Sequence, residues 1–252
     1  MSRCRPSAIL LWLLVFSALH LDGMGAIELH SVQVIHRHGS RSAIVSYNES
    51  QICADTPCGH LNVPGQTMMT KAGEFLRSQY NANTLGPLFP SESYDLGVSY
   101  TRSTDVLRTI QSAECLLRGL FPNSTAFLPV VHTVDSATDW LLTSTNVPYS
   151  YAFYDADLDW WHNVCNPALD ALIDFGTLIS IAKEAFSEGF CAEPHHRCKC
   201  ALMLFDIGAA LSANGQIGNF PALQKHLQKL RSVAYLSFKE QYGYLLVVLR
   251  MK

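Results

Sequence analysis

Arg37-His38-Gly39-Ser40-Arg41 sets a histidine between two arginines, just past a run that reads as a strand. An imidazole is a competent nucleophile, and guanidinium groups are planar donor forks matched to phosphate oxygens. Gly39 removes a side chain where the backbone has to approach a ligand closely. His38 would attack, and Arg37 and Arg41 would clamp the phosphate. A second stretch, Thr101-Arg102-Ser103-Thr104-Asp105, adds another cation in Arg102, with hydroxyls and a carboxylate suited to a helix N-cap.

A metal site is the sharper rival. His36 and His38 lie two apart on a strand and so share a face, as paired zinc ligands can. That reading predicts a metallohydrolase. It needs further ligands near strand ends, none of which has convincing spacing, and Arg37 and Arg41 would set positive charge beside the ion. His195-His196-Arg197-Cys198-Lys199-Cys200 also resembles a metal cluster, but disulfides with surface histidines explain it better behind a secretion signal. The expected site uses no metal and no cofactor. Trp160 and Trp161, beside Asp155, Asp157 and Asp159, are assigned to packing rather than to a sugar site. His132 is expected to be a partly buried structural histidine.

The elements that must position these groups follow from hydrophobic periodicity. Strands are expected over 27–35, 96–100 and 127–131, with a helix over 65–80 and another running from the 101–105 cap to Pro122. Strand, helix, strand, helix, strand implies an α/β layer with a parallel sheet. His38 and Arg102 each follow the carboxyl end of a strand, so both should open onto one sheet edge. From about 140 to 240 the chain reads as mostly helical: Asn166-Pro167 begins an apolar face through Phe186, and helices are expected over 201–211 and 221–242. The ending 244–250 is apolar and strand-like.

With 252 residues and 48% hydrophobic content, the chain can bury a large core as one domain or one domain with an insertion. A net charge of −3 argues against a nucleic-acid or anionic-membrane surface. Arg3, Arg5 and the apolar run 8–19 form a signal peptide, residues 1–25, with cleavage after Gly25 or Ala26. The run is short for a span of about 20 residues, so no membrane span is expected in the mature chain. Loss of Cys4 leaves Cys53, Cys58, Cys115, Cys165, Cys191, Cys198 and Cys200. Most should pair in an oxidising compartment, with Cys53 and Cys58 stapling a loop and one thiol left over. Asn48 and Asn123 head glycosylation sequons and should face solvent.

These residues resemble the histidine acid phosphatases of the branch-two histidine phosphatase superfamily. The family signature Arg-His-Gly-x-Arg-x-Pro stands here as Arg37-His38-Gly39-Ser40-Arg41-Ser42-Ala43, and Tyr100 to Thr109 resembles the family's arginine-bearing strand-to-helix turn. Leu61, Gly65, Gly73, Leu76 and Arg77 match the helix between them, and the 129–133 stretch is also similar. The signal peptide and Met-rich helix resemble secreted or membrane-associated acid phosphatases of unicellular eukaryotes. The resemblance implies a phosphoglycerate-mutase-like three-layer α/β sandwich with a helical insertion, making residues 26–252 the phosphatase domain. It implies that His38 forms a phosphohistidine while Arg37, Arg41 and Arg102 hold the phosphoryl oxygens. Substrates would be small phosphate monoesters at acidic pH, in a protein that is secreted or endosomal/lysosomal.

Three departures stand out. Ala43 replaces the signature proline, and Leu107 replaces a commonly acidic residue. The resemblance also implies a late His-Asp pair that donates to the phosphoryl group and protonates the leaving oxygen, and no His-Asp dipeptide occurs in the chain. The expectation is a C-terminally truncated member whose turnover is lowered by about 10²- to 10⁴-fold for the missing general acid alone. A non-catalytic phosphate-ligand binder is the alternative, a metallohydrolase is the next, and phytase activity is a variant within the superfamily.

Overall fold

A computed structural model of the chain describes residues 29–45, 49–53, 55–82, 86–123, 127–143, 158–185 and 191–251. The signal segment with Cys4, and also Asn48, Asp155, Asp157 and Phe186, lie outside them. The longer elements are α1 (Glu49–Cys53), α2 (Val63–Asn81), α3 (Leu107–Leu120), α4 (Asn166–Asp170), α5 (Phe175–Ala185), α6 (Arg197–Ala213) and α7 (Pro221–Met251).

Asn62 starts α2: its Oδ1 accepts from the Gly65 N–H at 2.8 Å, and Pro64 fills the first turn. α2 and α3 cross backbone to backbone. A Cβ on Gly73 would strike the Leu116 carbonyl oxygen, and one on Gly119 would strike that of Thr70, so only glycine fits at either point. Their facing apolar residues Met69, Leu116, Leu117 and Leu120 bury a first core with Leu61, Tyr94 and Phe121. Phe89 and Tyr94 close it edge-on against the Phe121 ring, at 5.8 and 5.3 Å.

A second core is built by the later helices around Trp160, Leu178, Ile181, Leu204, Ile207, Leu211 and Leu223. Trp160 is fully buried and meets Trp161 edge-on, which gives the pair a packing role. Disulfides Cys165–Cys198 and Cys191–Cys200 tie α6 to its neighbours, and Cys53–Cys58 staples the loop as its spacing predicts. His195 and His196 stay on the surface, while among the described residues Cys115 is the buried free thiol. Ala43, Ile52 and Cys53 join this second core rather than the first.

Four expectations need correction. The apolar run from Leu169 does not form one continuous helix. α4 stops at Asp170, Asp174 caps α5 through Thr177, and the helical run Leu158–Asp170 that α4 ends is bent by 91° from α5. The ending 244–250 is helical, because α7 propagates through it, and a short apolar run does not by itself distinguish strand from helix. His132 is exposed and stacks on Tyr100 at 4.9 Å.

The fourth correction concerns the strand expected over 96–100. Among the described residues β contacts are isolated bridges: Arg41 with Leu61 antiparallel, and Ser93 with Asn123 and Arg102 with His132 parallel. Residues 96–98 form a turn instead of a strand, because Asp95 captures the Gly97 N–H on Oδ1 and the Val98 N–H on its carbonyl. Parallel strands need both faces covered, yet Ile35 is 100% exposed and Leu128 78%. The two parallel bridges do keep one register, with His132 bonded to Thr101 and Ser103 on either side of Arg102. Among the described residues no single helix is long and apolar enough to cross a membrane.

Candidate active site

The loop after residue 36 is held from three directions. A Cβ on Gly39 would lie 2.5 Å from the Gly65 carbonyl oxygen, so the close approach that glycine permits here is to the start of α2. The Gly39 N–H donates to Ser112 Oγ on α3 at 3.0 Å, and the Ser112 hydroxyl donates to the Arg108 carbonyl at 2.6 Å. Asn62 Nδ2 donates to Ser40 Oγ at 3.2 Å and to Asn214 Oδ1 at 2.9 Å, joining the loop to the end of α6. Ser112→Ala would leave the buried Gly39 N–H unpaired. We expect a loss of about 1–3 kcal/mol in urea unfolding, whereas an unchanged midpoint would mean that this bond does not hold the loop.

His38 is half-buried. Its Nδ1 lies 2.8 Å from the Gly39 carbonyl, which can only accept, so Nδ1 carries the proton and the Nε2 lone pair is left for attack. Its pKa is lowered, first by burial and then by the charges of Arg37, Arg41 and Arg108, against the opposing pull of the Gly39 carbonyl. His36 is exposed, with Nδ1 donating to the Arg37 carbonyl at 3.0 Å.

Arg41 is buried, and its Nη2 reaches both carboxylate oxygens of Asp206 at 2.8 Å. Arg108 lies close enough that burial and the Arg41 charge push its guanidinium below the ordinary value, with Asp206 pulling the other way. The Nε atoms of Arg41 and Arg108 are buried without a hydrogen-bond partner. Unsatisfied donors in a cluster of cations around an imidazole can hold an anion.

Two cavities share Arg37 and His38. The smaller, about 230 Å³, is completed by Arg41, Met68 and Asp206. The larger, about 490 Å³, contains Arg102, Thr104 and Tyr100. The structure therefore brings Arg37, His38 and Arg41 together, and it sets Arg102 on the larger cavity, where its Nη2 bonds buried Asp139 at 2.6 Å. Asn123 is exposed.

Arg108, Ser112 and Asp206 were not predicted. Arg108 and Ser112 lie four residues apart on α3 and so share a face. Asp206 is the only acidic residue of α6, set in the run Ala201–Ala213, and a lone carboxylate in an apolar helix was the available signal.

The profile of the histidine phosphatase superfamily (branch 2) matches residues 47–170. Over these residues, just under half of its length, the chain is similar to this superfamily. The match takes in Arg102, Arg108 and Ser112 and begins after His38. Among similar proteins, the testicular acid phosphatase of Homo sapiens is 36% identical over 124 residues, 44% of this chain and 28% of that protein. The lysosomal acid phosphatase of Xenopus laevis is 33% identical over 145 residues, 53% of this chain and 32% of that one. Putative acid phosphatase 10 of Caenorhabditis elegans is 34% identical over 130 residues, 49% and 30% respectively. The alignments thus span about a third or less of these relatives' length. A phytase of Klebsiella sp ASR1 superposes with a TM-score of 0.49 at 17% identity, over 78% of this chain and 57% of that one.

Proposed function

We propose that this chain is an acid phosphatase that hydrolyses small phosphate monoesters through a phosphohistidine on His38. The observation that carries this reading is the half-buried His38, with Nε2 free, among Arg37, Arg41 and Arg108, two of which hold unpartnered buried Nε–H groups. A phosphoryl group placed there would satisfy those donors and offset the clustered positive charge. Nε2 forms the P–N bond as the P–O ester bond breaks, and the leaving alkoxide takes a proton from solvent. Water then attacks phosphorus, the P–N bond breaks, and inorganic phosphate leaves with neutral His38 restored. Because cations and burial hold His38 unprotonated below its ordinary pKa, the nucleophile persists into acidic solution.

The proposal extends to the fold and the compartment. Similarity to the superfamily and the single register of the parallel bridges support a three-layer α/β sandwich around α2 and α3. Three disulfides, the signal-like leader and lysosomal relatives support a secretory-pathway protein, secreted or lysosomal, glycosylated at Asn48 and Asn123. Arg102 is proposed as a cation of the larger cavity, with Asp139 holding it in place.

The test is rapid acid-free quenching of the full chain with p-nitrophenyl phosphate labelled at phosphorus. An acid-labile, base-stable label on His38 is expected. A p-nitrophenolate leaving group needs little protonation, so this substrate reports the nucleophile without demanding a general acid. Phosphate binding with neither label nor turnover would leave the chain a non-catalytic binder, and activity lost to chelator would point to a metallohydrolase.

A further inference from the structure

The ion pair between Arg41 and Asp206 joins two parts of the molecule that the sequence separates by 165 residues. Arg41 lies in the nucleophile's loop and is 8% exposed, while Asp206 projects from α6 with its side chain 37% exposed. A guanidinium has five N–H donors. Here Nη2 serves both Asp206 oxygens, Nη1 serves the Ser42 carbonyl at 2.9 Å, and Nε–H has no partner. The guanidinium is thus gripped at its far end, leaving Nε–H and one Nη1–H uncommitted.

Asp206 also supplies the negative charge in a cavity that contains Arg37, His38 and Arg41. Without it, Arg41 and Arg108 repel each other across a partly desolvated space, and the buried Arg41 keeps only the Ser42 carbonyl to hold its plane. Two roles are open to such a carboxylate. It could be an internal substitute that a phosphate must displace, or a fixture that keeps the arginine ready. The unpartnered Nε–H favours the second, since the buried guanidinium keeps an uncommitted donor while the ion pair is intact.

We propose that Asp206 is a positioning residue of the phosphate site: it holds Arg41 by Nη2, so that the uncommitted N–H groups of that guanidinium are kept for a phosphoryl oxygen. Asp206 acts through Arg41 and makes no bond to the phosphoryl group. The inference deepens the phosphatase reading above and rests on it.

The test measures inorganic phosphate binding by calorimetry, which requires no turnover, together with KM and kcat for p-nitrophenyl phosphate on the full chain. Asp206→Asn should weaken phosphate binding and raise KM together by about tenfold, with kcat changed far less. Asp206→Glu should recover part of that loss. Arg41→Ala combined with Asp206→Asn should bind phosphate no more weakly than Arg41→Ala alone, because the two residues act as one unit. Melting temperatures establish that each variant is folded, and Asp206→Ser stands in if the Asn variant is not. Phosphate binding as tight as wild type, or tighter, in Asp206→Asn would overturn the inference alone by making the carboxylate an inert neighbour or a competitor. No phosphate binding by the wild type would overturn the phosphatase reading as well.

Discussion

His38→Ala should lower turnover of p-nitrophenyl phosphate by about 10⁴-fold or more, the scale seen when a nucleophile that acts within a unit is removed. The reason lies in what remains. On this reading Arg37, Arg41 and Arg108 would still gather a phosphate, but among the described residues no second imidazole stands with them to form the P–N bond. Phosphate binding should therefore survive the substitution, and it should even tighten modestly where a side chain no longer crowds the cations. Free imidazole, small enough for the vacated space, should restore part of the rate. A variant that keeps a tenth of wild-type activity would sink the covalent mechanism, because a water attacking directly does not need His38.

Arg108→Ala is expected to reduce kcat/KM by about 10²- to 10³-fold, as when a donor aimed at developing negative charge is deleted from a preorganised site. It should also move the pH profile, and the sign follows from His38. Burial lowers the His38 pKa most, and Arg37, Arg41 and Arg108 lower it further. Only the unprotonated imidazole attacks, so activity falls on the acid side as pH drops through the His38 pKa. Taking away one cation lets that pKa rise, and the acid limb of kcat/KM should shift to higher pH. Arg108→Lys keeps the charge but loses the fork, so its limb should stay near wild type while the rate still falls. A limb that moves to lower pH in Arg108→Ala would remove Arg108 from the surroundings of His38.

Much of the site could be read from local chemistry, because a nucleophile between two cations needs only five consecutive residues. Arg37, His38 and Arg41 are brought together as their types suggested. Arg108 stayed hidden because its role depends on α3 delivering it to the loop through Ser112, and that docking is tertiary. Asp206 is further still, since its partner lies 165 residues away. The helices were legible wherever a cap or a long periodic face fixed them, as with Asn62 and α2. The strands were not, because a half-buried strand is defined by neighbours. Residues 96–98 turned under the local pull of Asp95, and the end of the chain followed the helix that precedes it.

Cys115 gives the first core a built-in clock. Burial beside α2 raises its pKa and keeps it a thiol, so in the closed molecule it is both shielded and poorly nucleophilic toward disulfide reagents. Reaction requires α2 and α3 to part. The same two helices hold the Gly65 and Ser112 contacts to the loop of His38. The labelling rate of this one sulfur therefore counts the opening events that also dismantle the nucleophile's seat, with no engineered probe needed to see them.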